Sequence, residues 1–221
     1  MTRPVSPYLK AGFYAEALAK GRHRDIVGGR WDETGRTQMA ILRDHGMLPH
    51  HHLLDIGAGS LRLGCKAVPY LAPGHYWATD QSRDLMLAGL AQELADPARL
   101  DPGHLIEDAE FAFPGVPATI THAMAFAVFT HLPLSHLAQA LPRLHAAFPA
   151  LQGLFFTVFL APPDHPGPFR QPDGVVTHAN RAPYHVDANS VLDLTHVARF
   201  TAVQPGTRLP RGQALFLATP R

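Results

Sequence analysis

The chain of 221 residues has a single cysteine, Cys65, so it can form neither an internal disulfide nor a zinc site built from cysteines. Charged residues are also scarce, at 17%, and 19 basic residues against 18 acidic ones give a formal net charge of +1. Nucleic-acid-binding proteins usually carry a larger or more concentrated positive charge. We therefore expect no nucleic-acid partner.

Long apolar runs are missing as well. The longest, such as residues 123–129, fall far below the roughly 18 residues that a membrane span requires. The opening MTRPVSPYLK lacks the apolar segment of a signal peptide. We therefore expect no membrane partner and a cytoplasmic location. Apolar residues still make up 46% of the chain, which is enough for a sizeable core and excludes a disordered protein.

Hydrophobic periodicity alternates between helical and strand patterns along the chain. Helical spacing predicts helices over residues 5–24, 34–45, 61–71, 82–94, 134–148 and 187–199. Apolar runs predict strands over residues 51–57, 75–80, 103–109, 118–126, 154–160, 199–205 and 213–219. This alternation predicts an α/β fold with a doubly wound, mostly parallel sheet. Only a short connection separates the last two strands, so we expect them to pair as an antiparallel hairpin.

The first strand runs into a glycine turn, LLDIGAGSLR. Gly57 and Gly59 permit a tight turn and a close approach of a ligand to the backbone. Arg62 stands where a dinucleotide-binding G-x-G-x-x-G motif has its third glycine, and the P-loop motif is absent. Asp55 would repel a pyrophosphate but attract an ammonium or sulfonium group, so the turn favours a cationic adenosine ligand. Asp80 ends the next strand, where an acid can accept hydrogen bonds from both ribose hydroxyls.

This order of strand, Asp-x-Gly-x-Gly turn, helix, strand and terminal Asp resembles the class I S-adenosylmethionine-dependent methyltransferases. The resemblance rests on LLDIGAGSLR, YWATD, FAVFTHLP and the closing hairpin, and it covers residues 50–221. It implies a Rossmann-like seven-stranded sheet, S-adenosyl-L-methionine as the cofactor, and residues 1–49 as a helical cap of the kind that varies within the family. It also implies that Asp55, Gly57 and Gly59 lie against the methionine part of the cofactor.

The resemblance assigns further cofactor-binding positions. Asp80 would hold the ribose, with Gln81 beside the adenine. Asp108, after the third strand, would contact the adenine edge, although two neighbouring glutamates are equally near. Phe126 would follow the fourth strand near the sulfonium. Arg62 departs from the third glycine that is commoner in the family.

Fifteen histidines raise the question of a metal site. The run from His50 to His52 is consecutive, so alternate side chains point to opposite sides of an extended chain. His131 and His136 are separated by about 140° round a helix, so we expect them not to share a face. No H-E-x-x-H motif is present, and we expect no metal. His131, at the mouth of the expected site, is the candidate general base; the alternative is a histidine that hydrogen-bonds locally.

Two segments are candidates for covering the site. Trp31 follows a Gly-Gly pair and either packs over the cofactor as a lid or anchors a surface helix. Residues 161–184 form a long proline-rich loop that leaves the carboxyl end of a strand, and such loops are often functional. We expect this loop to cover the substrate; the alternative is a surface insertion. Its candidate polar contacts are His165, Arg170, His178, Arg181, Tyr184 and His185.

Together these features predict an S-adenosylmethionine-dependent methyltransferase that methylates an oxygen or nitrogen of a small-molecule acceptor. One alternative is a methyltransferase acting on protein or RNA. Another is a non-catalytic S-adenosylmethionine-binding module. A dehydrogenase is disfavoured by Asp55 and Arg62. The acceptor, the methylated atom and the oligomeric state do not follow from the sequence.

Overall fold

Helices and strands alternate along the chain in the computed structural model, which describes residues 6, 8, 12–165, 167–207 and 209–221. The helices are α1 (Phe13–Ala19), α2 (Trp31–Asp44), α3 (Gly64–Tyr70), α4 (Arg83–Glu93), α5 (Leu134–Ala147) and α6 (Ala188–Val197). The strands are β1 (Leu53–Ile56), β2 (Tyr76–Asp80), β3 (Leu105–Glu107), β4 (His122–Ala125), β5 (Gly153–Leu160), β6 (Phe169–Arg170), β7 (Val176–Thr177), β8 (His185–Val186), β9 (Phe200–Val203) and β10 (Ala214–Pro220).

Seven strands form the main sheet in the order β3-β2-β1-β4-β5-β10-β9. The first five strands in this order run parallel, and β10 pairs antiparallel with both β5 and β9. The predicted doubly wound sheet and its closing hairpin are therefore confirmed. The structure adds one strand to the prediction, because the two residues of β8 pair in parallel with Phe159 and Leu160 at the end of β5.

Side chains of neighbouring residues in the central strands point to opposite faces of the sheet and belong to two separate hydrophobic clusters, one on each face. Leu53 and Phe155 join a cluster with α2, α3 and α4. Leu54 and Phe156 join a second cluster with α5 and α6. Because both faces are covered, the only parts of the central strands left open to a ligand are their ends. The turn after β1 lies at the carboxyl end of that strand. It is beside the point where the strand order reverses, between β1 and β4.

The N-terminal helix is shorter than predicted. The described part of the expected helix over residues 5–24 contains only α1, because Gly12 and Gly21 adopt left-handed backbone angles at its two ends. A short 3₁₀ turn, Asp25–Val27, follows before α2 begins. The helix expected from residue 61 begins instead at Gly64, since Leu61 also has a positive φ. The proposed division between a cap over residues 1–49 and a core over 50–221 stays a prediction.

Candidate cofactor and acceptor site

The glycine turn after β1 is held by backbone bonds and by two left-handed glycines. The N–H groups of Gly57 and Ala58 both donate to the carbonyl of Thr79, at 2.7 and 3.1 Å. Gly57 has a φ of 67° and Gly59 a φ of 57°, which favour glycine. A side chain at Gly59 would meet Val27 of the N-terminal segment, with its Cβ 2.5 Å from Cγ1. The turn therefore supports the segment that covers it.

Asp80 lies at the end of β2, directly against this turn. Its side chain is buried, with 8% exposure, and accepts hydrogen bonds from the backbone N–H of Gly59 at 2.9 Å and of Ser82 at 3.0 Å. The two bonds use different carboxylate oxygens, and the Gln81 backbone N–H also interacts with this carboxylate. Burial raises the pKa of Asp80 to about 6, against the pull of these N–H donors.

Asp55 and Arg62 form the inner end of the site. The Asp55 carboxylate is buried and accepts a hydrogen bond from the Tyr76 hydroxyl at 2.8 Å. Burial raises the pKa of Asp55 to about 7, and Arg62 opposes that rise. The Arg62 guanidinium donates from Nη1 to the carbonyls of Val27 at 2.8 Å and Gly29 at 3.3 Å. Its Nε is buried without a partner among the described residues, so this end of the site holds a cation with an unused donor.

A cavity of about 320 Å³ joins these groups at the carboxyl edge of the sheet. Nine of the ten residues that the sequence nominated for cofactor binding or as the base line its wall, and they are Asp55, Gly57, Gly59, Arg62, Asp80, Gln81, Asp108, Phe126 and His131. Trp31 is not among the described residues that line it. The Trp31 ring instead lies under the Arg24 guanidinium, 5.1 Å from the ring centre, and edge-on to His23. The parts of the N-terminal segment that line the cavity include residues 26–28 together with Ser6, Tyr8 and Tyr14.

Two of the nominated adenine contacts already have protein partners. The Asp108 carboxylate accepts from the backbone N–H of Glu110 at 2.9 Å and of Phe113 at 2.8 Å, which shapes the turn after β3. The Gln81 amide donates to the hydroxyl of Tyr14. Both side chains therefore position the wall as well as facing the cavity.

His131 and His136 both line this cavity, and the expectation that they point to different faces of one helix does not apply. That expectation placed both on one helix, whereas His131 lies in the loop before α5 and only His136 is on the helix. The His131 ring packs edge-on against Tyr8, with 4.9 Å between ring centres. Burial, helped by the charge of Arg211, lowers the pKa of His131 to about 4. The ring is therefore neutral near pH 7 and can accept a proton.

The sequence did not nominate several other wall residues. The aromatic side chains of Tyr8 and Tyr14 were read only as part of a helix, and Gln38 only as part of α2. Arg211 and Gln213 sit in the connection before β10, which carried no recognisable motif. The cluster of aromatic residues near the N-terminus was the one sequence feature that could have indicated these wall residues. Aromatic rings just before a nucleotide-binding core can cover its ligand.

The N-terminal segment is fastened over the site by side chains of the core. The Ser60 hydroxyl donates to the carbonyl of His23 at 2.9 Å, and Arg211 donates to the carbonyl of Gly28. Glu93, at the end of α4, bonds to the His23 ring and to the Arg24 guanidinium at 2.6 Å each. With the Arg62 bonds, these contacts hold the segment closed above the glycine turn.

The loop over residues 161–184 contributes less to the wall than expected. Val175 and Pro183 line the cavity, while none of the six polar side chains nominated for substrate contact is among the described lining residues. The loop is also less irregular than expected, because β6 and β7 pair as a small antiparallel hairpin within it. The hydrogen bond from the Tyr184 N–H to the Thr130 carbonyl, at 2.8 Å, keeps the end of the loop beside the β4 loop.

Several of the other histidines lie at the opposite, amino edge of the sheet. His51 stacks on His122 with 4.6 Å between ring centres, and His52 stacks on His75 at 3.9 Å. Burial lowers the pKa of His122 to about 4, and it lowers the pKa of His51 and His52 as well. Across the described ranges, no group of three or more His, Cys, Asp or Glu side chains is arranged to hold a metal ion. No helix in those ranges is long and apolar enough to cross a membrane.

Comparison with known proteins places this architecture among solved methyltransferases. The 1,6-didemethyltoxoflavin-N1-methyltransferase of Burkholderia thailandensis aligns with 100% of this chain and 93% of its own at a TM-score of 0.62 and 21% identity. The magnesium protoporphyrin IX methyltransferase of Synechocystis aligns with 94% of this chain and 97% of its own at 0.64 and 15% identity. A sugar N-methyltransferase of Streptoalloteichus aligns with 100% and 98% at 0.62 and 15% identity.

No protein-family model and no curated protein matched the chain. At these identities the likeness to solved structures establishes the fold. The chain has the class I S-adenosylmethionine-dependent methyltransferase fold, and the fold implied by the sequence resemblance is confirmed.

Proposed function

We propose that this protein is a methyltransferase that uses S-adenosyl-L-methionine to methylate an oxygen or nitrogen of a small-molecule acceptor. The observation that carries the proposal is Asp80. Its carboxylate lines the cavity at the end of β2, where backbone N–H groups of Gly59 and Ser82 hold its two oxygens in place. Two vicinal ribose hydroxyls match that arrangement. The solved toxoflavin and protoporphyrin methyltransferases with this fold contain S-adenosylhomocysteine, which supports the same cofactor here.

The inner end of the cavity fits the amino-acid part of this cofactor. Arg62 Nε and Gln38 Oε1 are both buried in the wall without a partner among the described residues. One is a charged donor and the other a neutral acceptor, so together they complement a carboxylate and an ammonium group. Asp55, which ionises near pH 7, adds negative charge for the ammonium or the sulfonium. Buried polar atoms without partners are costly in a folded chain, and a ligand that satisfies them removes that cost.

The chain's own residues would align the acceptor, cover the cavity and take up the proton that the acceptor loses. When bound, S-adenosyl-L-methionine supplies an electrophilic methyl group on a sulfonium. Residues 26–28 and Tyr14 exclude water from the cavity, and the loop after Phe126 positions the acceptor. His131 is neutral near pH 7, so its ring accepts the proton that the acceptor loses. The proposed reaction does not require a nucleic-acid partner. The cytoplasmic location stays a prediction.

Calorimetric titration with S-adenosylhomocysteine tests the cofactor assignment. The natural chain should bind it, and the Asp80→Ala variant should lose two charge-assisted hydrogen bonds of about 1.5–3 kcal/mol each. The Asp84→Ala variant is the matched control, because Asp84 is an exposed acid in the first turn of the helix that follows Asp80. Equal affinity in the Asp80→Ala and natural chains would overturn the ribose assignment.

Turnover separates an enzyme from a binding module. Transfer of a labelled methyl group from S-adenosyl-L-methionine to members of a small-molecule library should be measurable with the natural chain. His131→Phe should reduce that transfer while leaving S-adenosylhomocysteine affinity unchanged. A chain that binds the cofactor tightly but methylates no small molecule, peptide or RNA would support the non-catalytic alternative.

A further inference from the structure

Gln213 lies in the cavity wall with its amide group held in one orientation. The backbone N–H of Ala127 donates to Thr157 Oγ1 at 2.7 Å, so this hydroxyl acts there as an acceptor. It is therefore free to donate its own proton to Gln213 Oε1, at 2.6 Å. The Gln213 oxygen is thus occupied, and its amide nitrogen, which bonds to no other described residue, is the end that remains for a ligand. Gln213 as a whole is buried, with 8% exposure, so its side chain is held within the wall.

We call the part of the wall made by Tyr8, His131, Leu132, Phe159, Val175, Pro183 and Gln213 the acceptor half of the cavity. Ala127 directly follows Phe126, the wall residue at the end of β4, so the Ala127–Thr157–Gln213 chain of hydrogen bonds starts beside the expected sulfonium position. Arg211 stands two residues before Gln213 and lies close enough to His131 to help lower its pKa. One hydrogen-bond donor and one neutral acceptor therefore border the same space.

The rest of this half is made of rings and apolar groups. Tyr8 packs against the His131 ring, and Leu132, Phe159, Val175 and Pro183 complete the wall. Burial raises the pKa of Tyr8, so its hydroxyl stays neutral near pH 7. Walls of this composition favour a planar, aromatic ligand.

The carboxylates of the cavity wall lie around the glycine turn and in the turn after β3, where Glu110 follows Asp108. The carboxylates of Asp55, Asp80 and Asp108 accept hydrogen bonds from Tyr76 or from backbone N–H groups around the glycine turn and the turn after β3. The Arg211 guanidinium donates to the carbonyl of Gly28. The acceptor half therefore presents no carboxylate to recognise a cationic amine.

We propose that the methyl acceptor is an uncharged aromatic molecule that carries an O–H or N–H group together with a ring nitrogen or carbonyl oxygen. His131 accepts from the O–H or N–H group, and the Gln213 amide donates to the ring nitrogen or carbonyl. This inference rests on the proposed function. In the reaction the acceptor oxygen or nitrogen bonds to the methyl carbon, the carbon–sulfur bond breaks with its electrons going to sulfur, and the acceptor's proton passes to His131.

Matched aromatic probes test this specificity. Hydroxyquinolines and naphthols differ only in a ring nitrogen in place of a C–H group, and decahydronaphthols remove the aromatic ring. Binding to the natural chain saturated with S-adenosylhomocysteine is measured by calorimetry, and methyl transfer by product analysis. At least one hydroxyquinoline isomer should bind about tenfold more tightly than its naphthol counterpart. The decahydronaphthols should bind more weakly than either.

Two variants assign the preference to Gln213. Gln213→Leu should abolish the preference for the hydroxyquinoline while keeping affinity for the naphthol and for S-adenosylhomocysteine. Thr157→Val frees the Gln213 amide to rotate, so it should reduce the preference for the hydroxyquinoline without removing it. This variant replaces Gln213→Leu in the test if Gln213→Leu fails to fold.

Three results would overturn the inference. The first is equal binding of all hydroxyquinolines and naphthols to the natural chain, and the second is an unchanged preference in Gln213→Leu. The third is tighter binding of a naphthoate or a protonated naphthylmethylamine than of any neutral probe. Failure of S-adenosylhomocysteine itself to bind would instead reject the proposed function, and this is measured first on the same sample.

Discussion

The affinity for S-adenosylhomocysteine should fall as the pH drops through about 6, because Asp80 binds the ribose as a carboxylate. Burial raises the pKa of Asp80 to about 6 in the free chain. Both oxygens already accept backbone N–H bonds, so protonation would remove a lone pair that a ribose hydroxyl needs. The sign follows directly: the ligand selects the deprotonated form, so affinity is full above this pKa and declines below it.

The size of the Asp80 contribution follows from the titration of that one group, and protonation of Asp55 near pH 7 adds a separate decrease. With a pKa of about 6, roughly nine-tenths of Asp80 is charged near pH 7 and roughly one-tenth near pH 5, so affinity should fall about tenfold over that interval. Binding near pH 5 should also release close to one proton to the buffer, and binding near pH 8 close to none. Calorimetry in two buffers with different ionisation enthalpies measures both quantities.

Substitution separates Asp80 from its neighbours. Asp80→Asn should bind S-adenosylhomocysteine more weakly near pH 8, and its affinity should no longer change near pH 6. The amide nitrogen of the asparagine would face the N–H of either Gly59 or Ser82, and two donors cannot form a hydrogen bond. Asp55→Asn should keep the step near pH 6, because Asp55 titrates separately, at about 7. Constant affinity of the natural chain across this range, with no proton release near pH 5, would refute the argument.

Other parts of the fold yield three further predictions. Burial depresses the pKa of His122 to about 4, so the unfolded chain takes up a proton at this residue before the folded chain does. The free energy of unfolding is therefore full above the ordinary histidine pKa and falls by roughly 3 kcal/mol as the pH drops toward 4. In His122→Gln, the stability measured by urea unfolding should change less with pH over that interval. Glu93→Gln should weaken the bonds to Arg24 and speed S-adenosylhomocysteine release by about tenfold in stopped-flow displacement, and an unchanged rate would contradict the proposed closure. Gly59→Ala should lower the melting temperature and the affinity, and adding Val27→Ala should restore part of both; no recovery would mean that Val27 is not the obstruction.

The order of elements followed from the sequence because the sheet is buried on both faces. Apolar strands such as β4 and β5 form continuous apolar runs in the sequence, and the Asp187 side chain caps α6 within the helix predicted over residues 187–199. The short strands β6, β7 and β8 carried no such signal. Two-residue strands are defined by tertiary pairing, which leaves no period in the sequence.

The sequence could place the residues around the glycine turn together, and it could not place Gln213 beside them. Asp80 and the glycines sit in a fixed order around one strand and one turn, so local sequence places them together. Gln213 comes from the far end of the chain and reaches the cavity only because β10 inserts beside β5. Its orientation depends on Thr157 and Ala127, whose roles arise from contacts across three elements. Pattern analysis of one chain has no access to such contacts.

The arginine at the usual position of the third glycine has a physical explanation in this fold. A glycine there would leave the carbonyls of Val27 and Gly29 without the donor that Arg62 supplies from beneath the N-terminal segment. The same guanidinium has its Nε in the cavity wall, so one cation faces both the cover and the space for a ligand carboxylate. Burial lowers the pKa of Arg62 only to about 10, so it stays charged in both roles. A carboxylate bound to Nε would hold this cation in place, and filling of the cofactor site would thereby stabilise the closed position of residues 26–29.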